Sequence, residues 1–208
     1  ILPLDVYNVV NERNGPIFFT SNNATIIIAQ ITGINESVHT LLPRSLINMI
    51  GSYFDKFDEI SHRYKAVHPI YTTEKLYVAC CGLFDYEDSP AEQALQAVLF
   101  ALEIEEQMKN INKEFETSFK INIEINMGGP LFGCVLDNQA PQFSLFGLIF
   151  DQALNLIYSE EASTLEISQT VRDLIANNNQ FEIKSISEEN KGFQFYQLYS
   201  VTKSAPQS

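Results

Sequence analysis

The run Ala24 to Ile31, ATIIIAQI, constrains this chain more than any other segment. Its β-branched side chains leave no polar side for water, so it reads as a central strand in a sheet covered by helices rather than a half-exposed strand. A turn around Gly33 closes it. The chain has 208 residues, enough to bury roughly 70% of its unfolded surface in one core. With 45% hydrophobic residues and only 9 Gly and 8 Pro, it is an ordered globular sequence rather than a disordered or fibrous one.

The elements after that strand follow from periodicity. Leu46, Ile50, Tyr53, Phe54, Phe57, Ile60 and Tyr64 recur at three and four with charged residues between them, an amphipathic helix. Val67 to Tyr71 and Leu76 to Leu83 form a hairpin with its tip at Thr72 to Lys75. Ser89-Pro90-Ala91-Glu92 is a capping box with Pro at the first helical position, opening a second helix through Met108. Phe119, Ile121, Ile123, Ile125 and Met127 alternate with Lys120, Asn122, Glu124 and Asn126, which predicts a strand with one buried face. Gly128-Gly129-Pro130 punctuates it, a short strand spans Phe132 to Leu136, and a polar loop leads through Phe143 and Phe146 to a helix carrying Ile149, Phe150, Ala153, Leu156 and Ile157. Thr164 to Ile167 is a strand, Ser168 caps a helix through Ile175, and Phe181 to Ile186 with Phe193 to Tyr199 closes as a hairpin. The order is β-α-β-β-α-β with a C-terminal βα and β-hairpin extension. That is an α+β fold of the ferredoxin-like type, one sheet with helices on one face. One domain is expected over residues 1–199, with a disordered tail over 200–208.

Charge and cysteines narrow the function. Twenty-six Asp and Glu against 13 Lys and Arg give a formal net charge of -13, which disfavours nucleic acid and anionic lipid as partners. Cys80, Cys81 and Cys134 lack CxxC spacing and sit in apolar runs, so neither a disulfide framework nor a structural zinc site is expected. Cys80 and Cys81 are adjacent in a strand and point to opposite faces. His39, His62 and His68 have no metal-ligand spacing. The acidic clusters at 85–88, 103–106 and 188–189 read as solvated surface. No run approaches roughly 18 apolar residues and no signal peptide is present. A cytoplasmic domain of a longer polypeptide, without direct membrane contact, is therefore expected; whether the parent is membrane-anchored stays open.

Four stretches, collinear over most of the chain, resemble the class III adenylyl/guanylyl cyclase homology domain. ATIIIAQITGI is similar to that family's first strand and metal turn, and IYTTEKLYVACCG to its second metal hairpin. INMGGPLFGCV and APQFSLFGLIFDQALNL are similar to its glycine-bearing turn and following helix, and ILP at the start to its opening. The matching skeleton is Ile31, Gly33, Ile70, Thr72, Tyr77, Gly82, Gly128, Gly133, Pro141, Gly147 and Ala153. Gly128-Gly129 also resembles the diguanylate cyclase signature, but Pro130 and Leu131 stand where its acidic residues belong.

The resemblance implies a head-to-tail dimer in which one subunit supplies two metal-binding aspartates and the other the base-reading and transition-state residues. Attack of a ribose 3'-hydroxyl on the α-phosphate needs divalent cations, and those hard ions need carboxylate oxygens. At the two metal positions this chain carries Gln30, a neutral amide, and Lys75. An ammonium there would repel a divalent ion by up to about 8 kcal/mol at roughly 4 Å and an effective dielectric of about 20. A one-residue bulge at the hairpin tip would substitute Glu74 for Lys75. The base-reading position is Tyr71 and its companion Ser144. The asparagine and arginine that orient ribose and bind the reacting phosphorus are replaced by Asp151 and Asn155. Lys191, before Gly192, stands near a phosphate lysine and also fits a solvated turn.

Three readings follow from the resemblance. The first is a catalytically degenerate module that uses no cofactor, acting in dimerisation or regulation of cyclic-nucleotide signalling. It would pair as a homodimer or as a heterodimer with another cyclase homology domain, through a sheet face near Tyr71, Phe143 and Phe146. The second is an active nucleotidyl cyclase making cyclic AMP or cyclic GMP from ATP or GTP with Mg or Mn and atypical residues. The third is a small-molecule sensor using the old nucleotide cleft.

Overall fold

The computed structural model describes residues 3, 6, 7, 17–35, 39, 41–84, 88–136, 141–157, 164–185 and 195–200. The Lys191–Gly192 turn, Glu188, Glu189, Asp85 to Glu87, Ile1, Leu2 and the expected tail beyond 200 lie outside those residues. The elements, in chain order, are β1 Phe18–Ser21, β2 Ala24–Thr32, α1 Pro43–Ser61, β3 His68–Thr72, β4 Leu76–Cys81, α2 Pro90–Glu114 and β5 Lys120–Gly128. They continue with β6 Leu131–Leu136, β7 Gln142–Phe146, α3 Leu148–Ile157, β8 Leu165–Ser168, α4 Gln169–Ile175, β9 Phe181–Ser185 and β10 Phe195–Ser200.

The main sheet has seven strands in the order β3-β4-β2-β5-β8-β10-β9. β2 lies inside it, paired antiparallel with β4 (Ala29 opposite Tyr77) and with β5 (Ala29 opposite Ile123). Its isoleucines therefore divide between two cores. Ile27, Ala29 and Ile31 face α1, α2 and α4, packing with Tyr53, Phe57, Phe100 and Ile104. Ile26 and Ile28 face the other way, into a second core with Ile149, Phe150 and Ala153 of α3. Uniform apolarity was needed because both faces are covered. Cys80 and Cys81 follow the same rule, one in each core and both fully buried.

Three sequence expectations are corrected. Helices lie on both faces of the sheet: α3 crosses the face opposite α1, α2 and α4. The polar side of β5 is covered too, with Asn122, Glu124 and Asn126 at 4%, 2% and 4% exposure. A second, three-stranded antiparallel sheet, β1-β6-β7, was not anticipated beyond the Phe132–Leu136 strand. Its inner face, with Leu131, Phe143 and Leu145, joins the second core.

Capping agrees in one case and not in another. The Ser89 hydroxyl accepts a hydrogen bond from the Glu92 amide at 3.2 Å, opening α2. Ser168 precedes α4, but its hydroxyl makes no capping bond. At the far end of α2, Asn112 Nδ2 donates to the Phe119 carbonyl at 2.7 Å and its Oδ1 accepts from the Phe119 amide at 3.1 Å, fixing where β5 begins. Among the described residues no helix is long and apolar enough to cross a membrane.

Candidate functional site

The β3–β4 hairpin and the end of β2 come together at one edge of the site. Register puts Gln30 opposite Leu76. The Ile31 amide donates to the Lys75 carbonyl at 2.8 Å, and the Thr73 amide donates to the Leu76 carbonyl at 2.9 Å. These bonds hold the hairpin tip against the β2 end. The result is a cavity of about 70 Å³ lined by Gln30, Ile31, Thr32, Gly33, Ile34, Asn35 and Lys75. Gln30 is 1% exposed and its Oε1 has no hydrogen-bond partner. Gly33 turns the chain at φ +88°, a conformation glycine adopts without strain.

Glu74 is exposed and does not line this cavity. The one register irregularity between β3 and β4 falls between Pro69 and Tyr71, not at the tip, and Lys75 rather than Glu74 lines the cavity with Gln30. The lining accordingly offers three amide or hydroxyl side chains, Gln30, Thr32 and Asn35, with backbone groups and one ammonium, and no carboxylate among the described residues. Among the described residues no group of three His, Cys, Asp or Glu lies close enough to hold a metal ion.

A second cleft, about 460 Å³, is lined by Tyr71, Thr72, Gln142, Phe143, Ser144, Leu145, Phe146 and Phe150. The structure thus brings Tyr71 and Ser144, 73 positions apart by residue number (144 less 71), to one cavity. Phe143 and Phe146 diverge. Phe143 is 6% exposed and packs edge-on to Phe19 at 6.1 Å and near Phe84 at 5.7 Å, inside the second core. Strand alternation explains this, because three residues apart on β7 means opposite faces. Phe143 is therefore removed from the expected interface, while Phe146, 50% exposed, is available to it. Phe146 stands opposite Phe132, and Thr20 stands on the other side of Phe132, so one row of the small sheet carries two exposed aromatics.

Asp151 and Asn155 lie one turn apart on α3 and are both exposed; neither lines the Gln30–Lys75 cavity. α3 itself is held by a residue the sequence reading did not single out. Buried Asn126 of β5 donates through Nδ2 to the Ile149 carbonyl and to Gln152 Oε1, both at 3.2 Å. Its signal was a polar residue on a strand face that the alternation alone assigned to solvent.

The sequence reading also missed a cleft of about 630 Å³ beside β3, where Asp58, Ser61 and His62 of the α1 end meet His68, Tyr71 and Tyr77. The Tyr77 hydroxyl donates to Asp58 Oδ1 at 2.8 Å. Burial first, then the Asp58 charge, pushes the Tyr77 hydroxyl far above its ordinary range. Glu103 is likewise not simply solvated: it accepts from the Tyr64 hydroxyl at 2.7 Å and from Arg63.

The adenylate and guanylate cyclase catalytic domain family matches residues 19–199. A membrane guanylyl cyclase of Dictyostelium discoideum is 22% identical over 209 aligned positions, covering 100% of this chain and 14% of that protein. The chain thus spans about a seventh of that relative. The adenylyl cyclase CyaB from P. aeruginosa superposes with a TM-score of 0.76 at 16% identity, over 91% of this chain and 98% of that one. The guanylyl cyclase domain of the RhoGC fusion protein from Blastocladiella emersonii, solved as a dimer, gives 0.75 at 21% identity over 87% and 98%.

Proposed function

The chain belongs to the adenylate and guanylate cyclase catalytic domain family, and from that premise we propose that it is a catalytically silent member serving as a dimerisation or regulatory module of cyclic-nucleotide signalling. The observation that carries this reading is the Gln30–Lys75 cavity. By the resemblance it corresponds to the family's metal positions, and among the described residues its lining contains no carboxylate. Paired divalent cations need hard, negatively charged oxygens, and the residues present do not fit them. A cation close to Lys75 would meet repulsion of several kcal/mol in place of neutralisation.

The other half of the site supports the same reading. Asp151 presents a carboxylate where the triphosphate of a catalytic relative is embraced, and Asn155 carries no charge to stabilise a transition state. Tyr71 offers a stacking face to a base but no charge-based choice between adenine and guanine. The exposed positions of Asp151 and Asn155, away from Gln30 and Lys75, fit a composite site completed across a dimer. For the pairing surface we assign Phe146 together with Tyr71.

Size-exclusion chromatography with light scattering, on the chain alone and mixed with a catalytically active cyclase domain, tests the module. The reading predicts a species of twice the monomer mass or a mixed dimer. A strict monomer at high concentration, with no mass gained on mixing, would count against it.

A further inference from the structure

The cleft of about 630 Å³ beside β3 lies along the edge of the main sheet, where β3 is the outermost strand among the described residues. An added strand is a poor occupant for that edge, because Pro69 has no amide hydrogen to offer and the ladder is broken between Pro69 and Tyr71. The cleft grades from apolar to basic. Its floor is formed by buried Val67, Ile70 and Tyr77, and its walls carry the rings of half-buried Tyr64, His68 and Tyr71. Lys65, His62 and Asp58 stand exposed at the mouth. Among the described lining residues, one carboxylate thus meets one ammonium and two imidazoles, in a chain with 26 Asp and Glu against 13 Lys and Arg. That carboxylate is already engaged, accepting the Tyr77 hydroxyl at 2.8 Å. The site is also built in advance. The Ala66 amide donates to Gln96 Oε1 at 2.8 Å and the Val67 amide to the Tyr64 carbonyl at 2.9 Å, which holds the loop carrying Lys65. The Tyr64 hydroxyl is tied to Glu103 as that of Tyr77 is to Asp58, so two of the rings need little ordering when a ligand arrives.

We propose that this cleft binds a small aromatic carboxylic acid, with its ring between the tyrosine and histidine walls and its carboxylate at Lys65 and His62. Ring walls favour a flat π-face, which gains from offset or edge contacts beyond the area it buries. An ammonium and an imidazole at the mouth orient a single carboxylate through charge-assisted bonds. The volume falls within the range of about 300–1,000 Å³ usual for small-molecule sites. A polyphosphate is disfavoured, because the net charge of -13 repels a multiply charged anion far more than a monoanion. Tyr71 and Thr72 line both this cleft and the Tyr71–Ser144 cleft, so the occupant rests against the strand to which the pairing surface is assigned. Binding needs no nucleotide, metal or partner chain, so the inference stands or falls apart from the silent-module reading.

The test is a titration of the isotope-labelled full chain with naphthoate, followed through its backbone amide NMR shifts and, in parallel, by calorimetry. Saturable shifts are expected at residues 58–72 and at Tyr77, with a Kd at or below about 1 mM. Naphthylmethanol, the neutral alcohol on the same ring system, should bind about tenfold more weakly, and naphthylmethylamine more weakly still. Lys65→Gln should remove the acid's advantage over the alcohol, Lys65→Arg should keep it, and raised salt should weaken the acid alone. Lys65 is exposed, so both changes leave the core intact, and the spectra of the variants report their folding directly. No saturable shift, shifts gathered at residues 142–150 instead, an alcohol or amine that matches the acid, or acid binding unchanged in Lys65→Gln would each overturn the proposal. Decanoate binding more tightly than naphthoate would put an acyl chain where the ring is assigned and overturn it equally.

Discussion

Tyr77→Phe removes the bond that ties β4 to the end of α1, directly behind the hairpin carrying Tyr71 and Lys75. The ring itself stays, still edge-on to Phe57 at 5.5 Å and stacked near Phe54 at 6.3 Å, so packing changes little. What is lost is a 2.8 Å hydrogen bond from the hydroxyl to the Asp58 carboxylate. Bonds to charged acceptors contribute about 1.5–3 kcal/mol. Asp58 is exposed and water can replace its lost donor, so the low end applies, about 1.5 kcal/mol. For a chain of this size that lowers the melting temperature by about 3–6 °C at pH 7. Alkaline pH should then erase the difference. Burial and the Asp58 charge raise the Tyr77 ionisation in the folded state, whereas the unfolded chain releases that proton at about pH 10. The stabilisation is complete below pH 10 and falls above it by up to about 1.4 kcal/mol per pH unit. Wild type and Tyr77→Phe should therefore converge near pH 11. Tyr53 and Tyr64 are raised as well, but both proteins carry them, so their effect cancels in the comparison. Thermal melts at half-unit intervals from pH 7 to 11 would refute the reasoning if the two proteins matched at pH 7, or if a gap there stayed constant to pH 11.

Gly129→Ala would place a Cβ about 2.3 Å from the Asn22 carbonyl oxygen, a backbone atom that cannot swing aside; urea unfolding should show a loss of at least about 1–3 kcal/mol. Thiol titration of the native protein should find Cys134 reactive, and Cys80 and Cys81 silent until denaturant is added. Both buried thiols are fully shielded, and burial together with Asp88 pushes the Cys81 thiol well above its ordinary range. Phe146→Glu, on an exposed position, should shift the melting temperature by no more than about 2 °C while abolishing the dimer in light scattering. A dimer unchanged by that substitution would move the interface elsewhere.

The fold was largely legible because its constraints are local. The run ATIIIAQI marked a strand inside a covered sheet, and the alternation from Phe119 to Met127 marked β5 to within a residue. What could not be read was contact between distant segments. β1 has four residues, too few for a period to register, and exists by pairing Phe18–Ser21 with Leu131–Cys134. Asn122, Glu124 and Asn126 look solvated in sequence because nothing local announces that this face of β5 will be covered. The same limit separated Phe143 from Phe146: both are aromatic, and only the placement of β7 decides which one points inward. For the site, the resemblance picked out Gln30 and Lys75 separately. That they share a cavity follows from the β2–β4 register and the Ile31–Lys75 backbone bond.

The central claim is that a cyclase-family fold has lost its chemistry, and turnover tests it most directly. The chain, incubated alone and with a dimerisation partner lacking its own activity, would be given ATP or GTP with manganese. Cyclic AMP and cyclic GMP would be counted by mass spectrometry. The account predicts no product above a protein-free control with either nucleotide; cyclic product that scales with protein concentration would contradict it.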